Sequence, residues 1–572
     1  MAVELIMPKN GMTMEEGKII RWLKNVGDKV LCDEPIIEIE TEKTNMEYEA
    51  PASGTLLVKY HEDGETVPVL TLLGYIGEAD EIVPEQPSSA VKNNDRKQSS
   101  VVPNKDENYT NGIQKDILKH DYDIAFIGGG PAGYAGAIHA AQMGAKTILF
   151  ERDKLGGTCL NRGCIPTKTY LKSAECLFSI QKAKNLGIDM IGEVQANLTK
   201  IYERKEGIVL KLRNGIEQLM KSNSITVINA EAVLSGDHEI SVSGTQYSAG
   251  KIILCTGSRV KLPSIRGIEH PDVLTSDTIL EIQEIPKKLC IIGGGIIGCE
   301  IGCAFQLFGS EVVILEAMPN ILSDLDDDII NTIHKSLISL GIRIEIGVKV
   351  QQIENPDGKP VAVTGTEKYS CDKVLVVTGR VPELNCLGMM SDKIKLNKGF
   401  VEVNEYMETC INGIYAAGDI NGKLMLAHAA SRMAEIAVEN ALGVKKACIL
   451  KYTPNCLYTI PEAACVGLSK KQALEKYGND IVIGQSKFSV NGRAYASGEP
   501  EGFVHVFVRK QYGEILGVQI VGTAAAELIS EPASLMSCEI TAHEVVEGML
   551  HAHPTYSEAF MEACADALKR NK

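Results

Sequence analysis

Ile124-Ala125-Phe126-Ile127-Gly128-Gly129-Gly130-Pro131-Ala132-Gly133 is an apolar run closed by a glycine cluster, and Leu289-Cys290-Ile291-Ile292-Gly293-Gly294-Gly295-Ile296-Ile297-Gly298 repeats it. Each copy reads as a buried strand, a tight turn and the start of a helix. Each is followed at the same offset by a second apolar strand ending in an acid, Ile148-Leu149-Phe150-Glu151 and Val313-Ile314-Leu315-Glu316, and Gly144 and Gly309 also correspond. G-x-G-x-x-G in this context has a physical reading. Gly128 and Gly293 make the sharp turn. Gly130 and Gly295 let the backbone approach a pyrophosphate, and Gly133 and Gly298 let helix pack closely on strand. The helix N-terminus offers N–H donors and partial positive charge to the diphosphate. The expected fold class is α/β, with two Rossmann-like dinucleotide-binding domains. Glu151 and Glu316 stand where ribose hydroxyls would donate to them. Glu316 would repel a 2′-phosphate, and no Arg follows in Ala317-Met318-Pro319-Asn320, so the second site favours NAD over NADP.

Around these repeats the chain changes character twice. Residues 1 to 78 are strand-rich and punctuated by turns at Gly27-Asp28, Gly54 and Asp63-Gly64. Alternation in Pro35-Ile36-Ile37-Glu38-Ile39-Glu40 predicts half-buried strands and a small all-β sandwich or flattened barrel. Residues 79–119, including Pro84-Glu85-Gln86-Pro87-Ser88-Ser89 and Lys92-Asn93-Asn94-Asp95-Arg96-Lys97-Gln98, are polar and aperiodic. They cannot bury enough apolar surface to order themselves and read as a flexible linker, averaging about 35 Å end to end as a coil. Beyond about residue 453, alternating strands such as Val504-His505-Val506-Phe507-Val508 and then helical segments predict an α+β domain.

Composition narrows the function. A net charge of −16 and a single Trp argue against nucleic acid and anionic membranes as partners. No apolar run approaches the ~20 residues of a membrane span. The start, Met1-Ala2-Val3-Glu4-Leu5, has neither a basic n-region nor an apolar h-region, so a cytoplasmic location is expected. In such a compartment the 16 Cys read as thiols, and a disulfide there is more often catalytic than structural.

One pair fits that description. Cys159-Leu160-Asn161-Arg162-Gly163-Cys164 follows the first repeat, and Ile165-Pro166-Thr167-Lys168 continues it. Set between two dinucleotide folds, the pair offers a route for electrons from a substrate dithiol to a disulfide, a flavin and a nicotinamide. Placement at a helix N-terminus would favour the thiolate.

With these residues the sequence, from about 121 to 565, resembles the pyridine nucleotide–disulfide oxidoreductases. The resemblance implies FAD on the first fold and NAD on the second, with Cys159 as interchange thiol and Cys164 against the flavin. It matches Lys168 and Glu300 to the family's flavin-side ion pair. Cys255-Thr256-Gly257-Ser258, with Gly257, and Tyr415-Ala416-Ala417-Gly418-Asp419 match flavin motifs, with Asp419 on the ribityl chain. Met425-Leu426-Ala427-His428 looks like the flavin-proximal helix start of the lipoamide-oxidising members. His551-Ala552-His553-Pro554-Thr555-Tyr556-Ser557-Glu558 matches the family's His-Pro-Thr-x-x-Glu motif, making His553 the base and Glu558 its partner. In the family this His serves the cysteine pair of the other subunit, so a homodimer is implied. One departure stands in Arg380-Val381-Pro382-Glu383, where the family usually has Asn at the last position. The implied domains are 1–78 lipoyl, 79–119 linker, 120–269 FAD-binding, 270–389 NAD-binding, 390–452 completing the FAD site, and 453–572 dimerisation.

The N-terminal segment resembles the lipoyl domains of 2-oxo acid dehydrogenase complexes through Met7-Pro8-Lys9, Glu16-Gly17, Trp22, Gly27-Asp28, Val30, Pro35, Pro51 and Gly54. Lys43, in Glu40-Thr41-Glu42-Lys43-Thr44-Asn45, would carry the lipoyl group. A biotinyl domain prefers Met on both sides of its lysine, whereas here Glu42 and Thr44 flank it, in place of the commoner Asp and Ala. Together the halves imply an enzyme that reoxidises protein-bound dihydrolipoyl groups with NAD, working with the lipoyl domains and acyltransferase core of a 2-oxo acid or acetoin dehydrogenase complex. Two other readings stay open. One is a glutathione- or mercuric-reductase type of enzyme, though Ala567-Leu568-Lys569-Arg570-Asn571-Lys572 lacks vicinal cysteines. The other is a non-catalytic lipoyl-carrying scaffold, against which the complete catalytic set argues. No metal site is expected.

Overall fold

The computed structural model describes residues 2–7, 16–32, 34–40, 45–68, 71–78, 81, 83, 120–189 and 191–571. The chain divides into two compact units, Met1–Pro103 and Asn104–Lys572. Lys43 lies outside the described residues, as does the segment 79–119 apart from Glu81 and Val83.

The N-terminal unit is the expected all-β body. Two four-stranded sheets form it: Val3–Ile6, Leu72–Gly77, Gly54–Lys59 and Lys29–Val30 in one, Asn45–Glu49, Pro35–Glu40, Glu16–Trp22 and Thr66–Pro68 in the other. Leu5, Ile19, Ile37, Leu56, Leu73 and Ile76 fill the space between them. The strand Pro35–Glu40 departs from strict alternation. Its pairing with Asn45–Glu49 shifts register between Pro35 and Ile37, and Ile36, Ile37 and Ile39 are all buried. A bulge of this kind re-aims one side chain, so two consecutive Ile both reach the core.

In the second unit each glycine repeat sits where the pattern put it. The first follows the strand Tyr122–Ile127 and precedes the helix Pro131–Gln142. The second follows Lys288–Ile292 and precedes Ile296–Phe308. The first sheet runs in the order Thr226–Asn229, Thr147–Glu151, Tyr122–Ile127, Thr245–Leu254, and Ile414–Ala416 joins parallel to Thr245–Leu254 from far along the chain. The second is fully parallel: Val273–Thr275, Lys373–Val376, Lys288–Ile292, Glu311–Glu316, Arg343–Ile346.

Parallel strands covered on both faces are apolar throughout. Here alternate residues feed two different cores. Ile124, Phe126, Leu149 and Ile253 pack under the helices Pro131–Gln142 and Ala427–Ala441. Ala125, Ile127, Ile148 and Leu254 pack on the opposite face with Leu234, Ile240 and Met390. A third core joins Tyr170 and Ala174 of the cysteine-bearing helix to Ile291 and Ile314 of the second sheet and to Leu457 and Val521 of the C-terminal part. That shared core holds the second unit together around the site. The C-terminal part is an antiparallel five-stranded sheet, Asn455–Leu457, Glu462–Gly467, Ile515–Gly522, Phe503–Arg509 and Ile481–Lys487, followed by short helices and Glu558–Arg570. Among the described residues no helix is long and apolar enough to cross a membrane.

Candidate active site

A cavity of about 1500 Å3 opens between the two nucleotide folds, beyond the ~300–1,000 Å3 of ordinary small-molecule sites. Both glycine turns face it. Gly128 and Gly293 have φ of +106° and +117°, and a Cβ there would lie 2.4 Å from the Cys255 carbonyl oxygen or 2.6 Å from that of Val377. A Cβ at Gly133 or Gly298 would lie 1.8 or 2.1 Å from the carbonyl oxygen of the turn's first glycine, so these positions close helix onto strand and do not line the cavity. At Gly295 a Cβ would meet nothing within 4 Å, and at Gly130 only the Gly157 Cα at 3.8 Å. Both turns thus leave an open cradle beside their N–H groups, which fits the diphosphate of a dinucleotide.

The two strand-end acids behave as a repeated pair. Glu151 accepts from the Gly129 and Asp153 amides, each at 2.7 Å. Glu316 accepts from Gly294 at 2.6 Å and Met318 at 2.7 Å. Each carboxylate ties its own glycine turn to the strand end and still lines the cavity, with lone pairs left for ribose hydroxyls.

Cys159 lies in the short helix Gly157–Arg162, and Cys164 opens the helix Cys164–Lys182. The two thiols are free and hydrogen-bonded to each other. The bond from Cys159 brings the Cys164 thiol down to about 7, and the Lys168 ammonium adds to this against the effect of burial. Cys159 moves the opposite way, first because its hydrogen is held by Cys164 and then because it is buried. The pair's first proton therefore leaves Cys164, and Cys159 donates to the resulting thiolate.

Lys168, one turn along the same helix, donates to both oxygens of Glu300, at 2.9 and 3.1 Å. Glu300 is only 2% exposed, so an unpaired charge there would be costly. The Tyr458 amide also donates to it at 2.9 Å, and the Lys168 ammonium lies 4.3 Å over the Tyr458 ring. Replacing the pair together, Lys168→Met with Glu300→Gln, leaves no buried charge alone. Lys168 outweighs Glu300 in its effect on Cys164, so the thiolate, present above about pH 7 and lost below it, should form only at higher pH in the double variant. Alkylation of the reduced protein with iodoacetamide across pH reads this midpoint, and an unmoved midpoint would refute the ammonium's role.

On the other wall, Ser258 donates to Asp419 at 2.5 Å and Arg380 donates to Ser258 at 2.7 Å. Gly257 adopts φ +69° beside them. Glu383, the departure from the family's Asn, is buried and accepts from Arg152 at 3.1 Å. The extra acid thus meets a base that directly follows Glu151.

His553 and Glu558 do not line this cavity. The His553 ring bonds Glu558 at 2.9 Å through Nδ1, and its side chain is 76% exposed. The Thr555 amide donates to Glu558 at 2.8 Å. That amide, with His553 second, holds the Glu558 carboxyl below its usual range. An ionised carboxylate only accepts, so Nδ1 carries the hydrogen and Nε2 is the nitrogen able to take a proton.

Cys159, Cys164, Lys168, Glu300, Gly257, Asp419 and both glycine turns are thus gathered at one cavity, whereas the His553–Glu558 pair is formed but stands apart. Sequence reading missed Tyr458, which no local pattern marks, and assigned no role to Ser258, Arg380 or Arg152.

The chain matches the family model for pyridine nucleotide-disulphide oxidoreductases over residues 122–434 and that family's dimerisation domain over 453–564. Residues 3–76 match the model described as biotin-requiring enzyme, a biotin/lipoyl domain. A dihydrolipoyl dehydrogenase from Bacillus subtilis is 36% identical over 448 residues, covering 77% of this chain and 97% of the relative. One from Thermus scotoductus is 37% identical over 459 residues, covering 78% and 98%. Among solved structures, the HOCl-induced flavoprotein disulfide reductase RclA from Escherichia coli aligns with a TM-score of 0.70 at 27% identity, covering 79% of this chain and 100% of that one. A cysteine pair held between two open glycine-turn cradles and matches of this length agree, and the chain belongs to the pyridine nucleotide–disulphide oxidoreductases, within the dihydrolipoyl dehydrogenase family.

Proposed function

We propose that this chain reoxidises protein-bound dihydrolipoyl groups with NAD, as the dehydrogenase component of a 2-oxo acid or acetoin dehydrogenase complex. The observation that carries the reading is the convergence of Cys159, Cys164, Lys168, Glu300 and both glycine turns on one cavity. Members of this family use FAD and NAD, and the two open cradles fit them. The biotin/lipoyl domain supplies the substrate class: lipoyl on Lys43, joined through the segment 79–119, would meet a cysteine pair at high effective concentration. The many other cysteines, all thiols here, suit a reducing, cytoplasmic setting.

In the oxidised enzyme Cys159 and Cys164 share a disulfide. A dihydrolipoyl thiolate attacks the Cys159 sulfur and the Cys159–Cys164 bond breaks, releasing the Cys164 thiolate. His553, held by Glu558, takes the proton of the second lipoyl thiol. That sulfur then attacks its partner in the mixed disulfide, closing the lipoyl ring and freeing Cys159. Two electrons now reside on the cysteine pair. The lowered Cys164 thiol and the Lys168 ammonium keep the charge on the Cys164 sulfur. When bound, FAD supplies the two-electron chemistry that restores the disulfide and reduces NAD. Glu316 selects the unphosphorylated ribose. Because His553 is exposed and outside its own cavity, it serves the cysteine pair of a second copy across the dimerisation domain.

The test is NAD reduction by free dihydrolipoamide on the purified protein, with NADPH plus glutathione disulfide in parallel. Rapid NADH formation supports the reading. Turnover with NADPH and another disulfide, but none with dihydrolipoamide, would refute the substrate while keeping the family.

A further inference from the structure

Thr256-Gly257-Ser258 and Thr378-Gly379-Arg380 occupy corresponding places in the two nucleotide folds, just past the strands Thr245–Leu254 and Lys373–Val376. Both run on into short strands, Ser258–Val260 and Arg380–Pro382, which pair antiparallel with Ser258 opposite Pro382 and Val260 opposite Arg380. This ribbon stands where the chain passes out of each fold. We propose that Arg380 and Ser258 within it are positioning residues for flavin binding, acting through Asp419. The proposal rests on the reading of Asp419 as a flavin-binding residue.

The geometry sets the direction of every link. The Arg380 guanidinium grips Ser258 at two points, Nε to the hydroxyl at 2.7 Å and Nη2 to the carbonyl at 2.8 Å. Asp277 lies 3.7 Å from its Nη1 and balances the charge. A guanidinium has no acceptor, so the Ser258 oxygen receives. The hydroxyl's single hydrogen is then committed to Asp419 Oδ2 at 2.5 Å. A carboxylate on a short side chain has two torsions free to wander, and this one-way chain pins them. One Asp419 oxygen is turned to the protein, and the other is left for a sugar hydroxyl. Asp419, Ser258 and Arg380 all line the cavity. Asp419 lies 161 residues from Ser258, so only the folded ribbon brings donor and acceptor together.

The measurement is the rate of FAD release from the purified holoenzyme on dilution, followed by the rise of free-flavin fluorescence. Four variants are compared with wild type: Asp419→Asn, Ser258→Ala, Ser258→Thr and the double variant Asp419→Asn/Ser258→Ala. Ser258→Ala is expected to speed release about tenfold, the range for one charge-assisted hydrogen bond. Ser258→Thr, which keeps the hydroxyl, should restore retention. Ser258→Ala should add nothing in the Asp419→Asn background, an outcome that a merely structural role for the ribbon would not produce. If Asp419→Asn speeds release but Ser258→Ala does not, or if the two effects simply add, the relay is wrong. If Asp419→Asn leaves release unchanged, the flavin-binding reading of Asp419 itself falls, and the relay with it.

Discussion

Cys164→Ser is expected to abolish NAD reduction by dihydrolipoamide, at least roughly a thousandfold, while the protein stays yellow. The reason is stoichiometric. Cys159 alone can form a mixed disulfide with lipoyl, but no second sulfur then remains to be freed as a thiolate when that bond forms and to carry the electron pair. The glycine turn, Glu151 and Asp419 are untouched, so FAD should stay bound. Steady-state NADH formation and the visible spectrum of the same sample check both halves. Retained turnover would remove the cysteine pair from the mechanism. Cys159→Ser should be equally inactive with lipoyl substrates; it also exchanges the Cys159 thiol, whose hydrogen bond is the first cause of the lowered Cys164 thiol, for a hydroxyl, and leaves only the Lys168 ammonium unchanged.

His553→Gln should lower turnover by about 10²- to 10⁴-fold, the usual span for removal of a general base. FAD content should be unchanged, since His553 lies outside the cavity. Glu558→Gln should cost less. It removes the acceptor at 2.9 Å that orients the ring but leaves the ring itself. The Glu558 carboxyl sits below its usual range, so its charge is present at neutral pH and is lost only as pH falls below that of an ordinary carboxylate. A mixing experiment tests the arrangement between subunits. Dimers reassembled from His553→Gln and Cys164→Ser chains, the first strongly impaired and the second inactive alone, should regain activity, because one site then combines an intact cysteine pair with an intact His553 from the partner. Absence of recovery in confirmed mixed dimers would mean that His553 acts within its own chain or not at all.

Much of this was legible in the residues because the constraints are local. Gly133 and Gly298 are required by backbone geometry within a single strand–turn–helix, where a Cβ would collide with the carbonyl oxygen of Gly128 or Gly293 at 1.8 or 2.1 Å, and Gly128 and Gly293 take positive φ in those same turns. Cys159 and Cys164 are spaced by one turn and a helix start, and His553 and Glu558 by a similar stretch, so their pairings also follow from near neighbours. Glu383 illustrates the limit. Against its motif it reads as an anomaly, and only the fold reveals Arg152 beside it.

From the sequence by itself came the two nucleotide folds, the close cysteine pair, the acid that would favour NAD and the small β body at the N-terminus, all periodic or short-range features. Tertiary structure decided the rest: that Tyr458 returns to meet both Lys168 and Glu300, whose pairing over 132 residues was legible only through resemblance, that Arg380 and Ser258 hold Asp419, and that His553 stands outside its own cavity. These contacts depend on where a parallel sheet and its crossovers bring distant segments back together. Hydrogen bonds over such separations are chosen by topology and core packing, which no local spacing encodes.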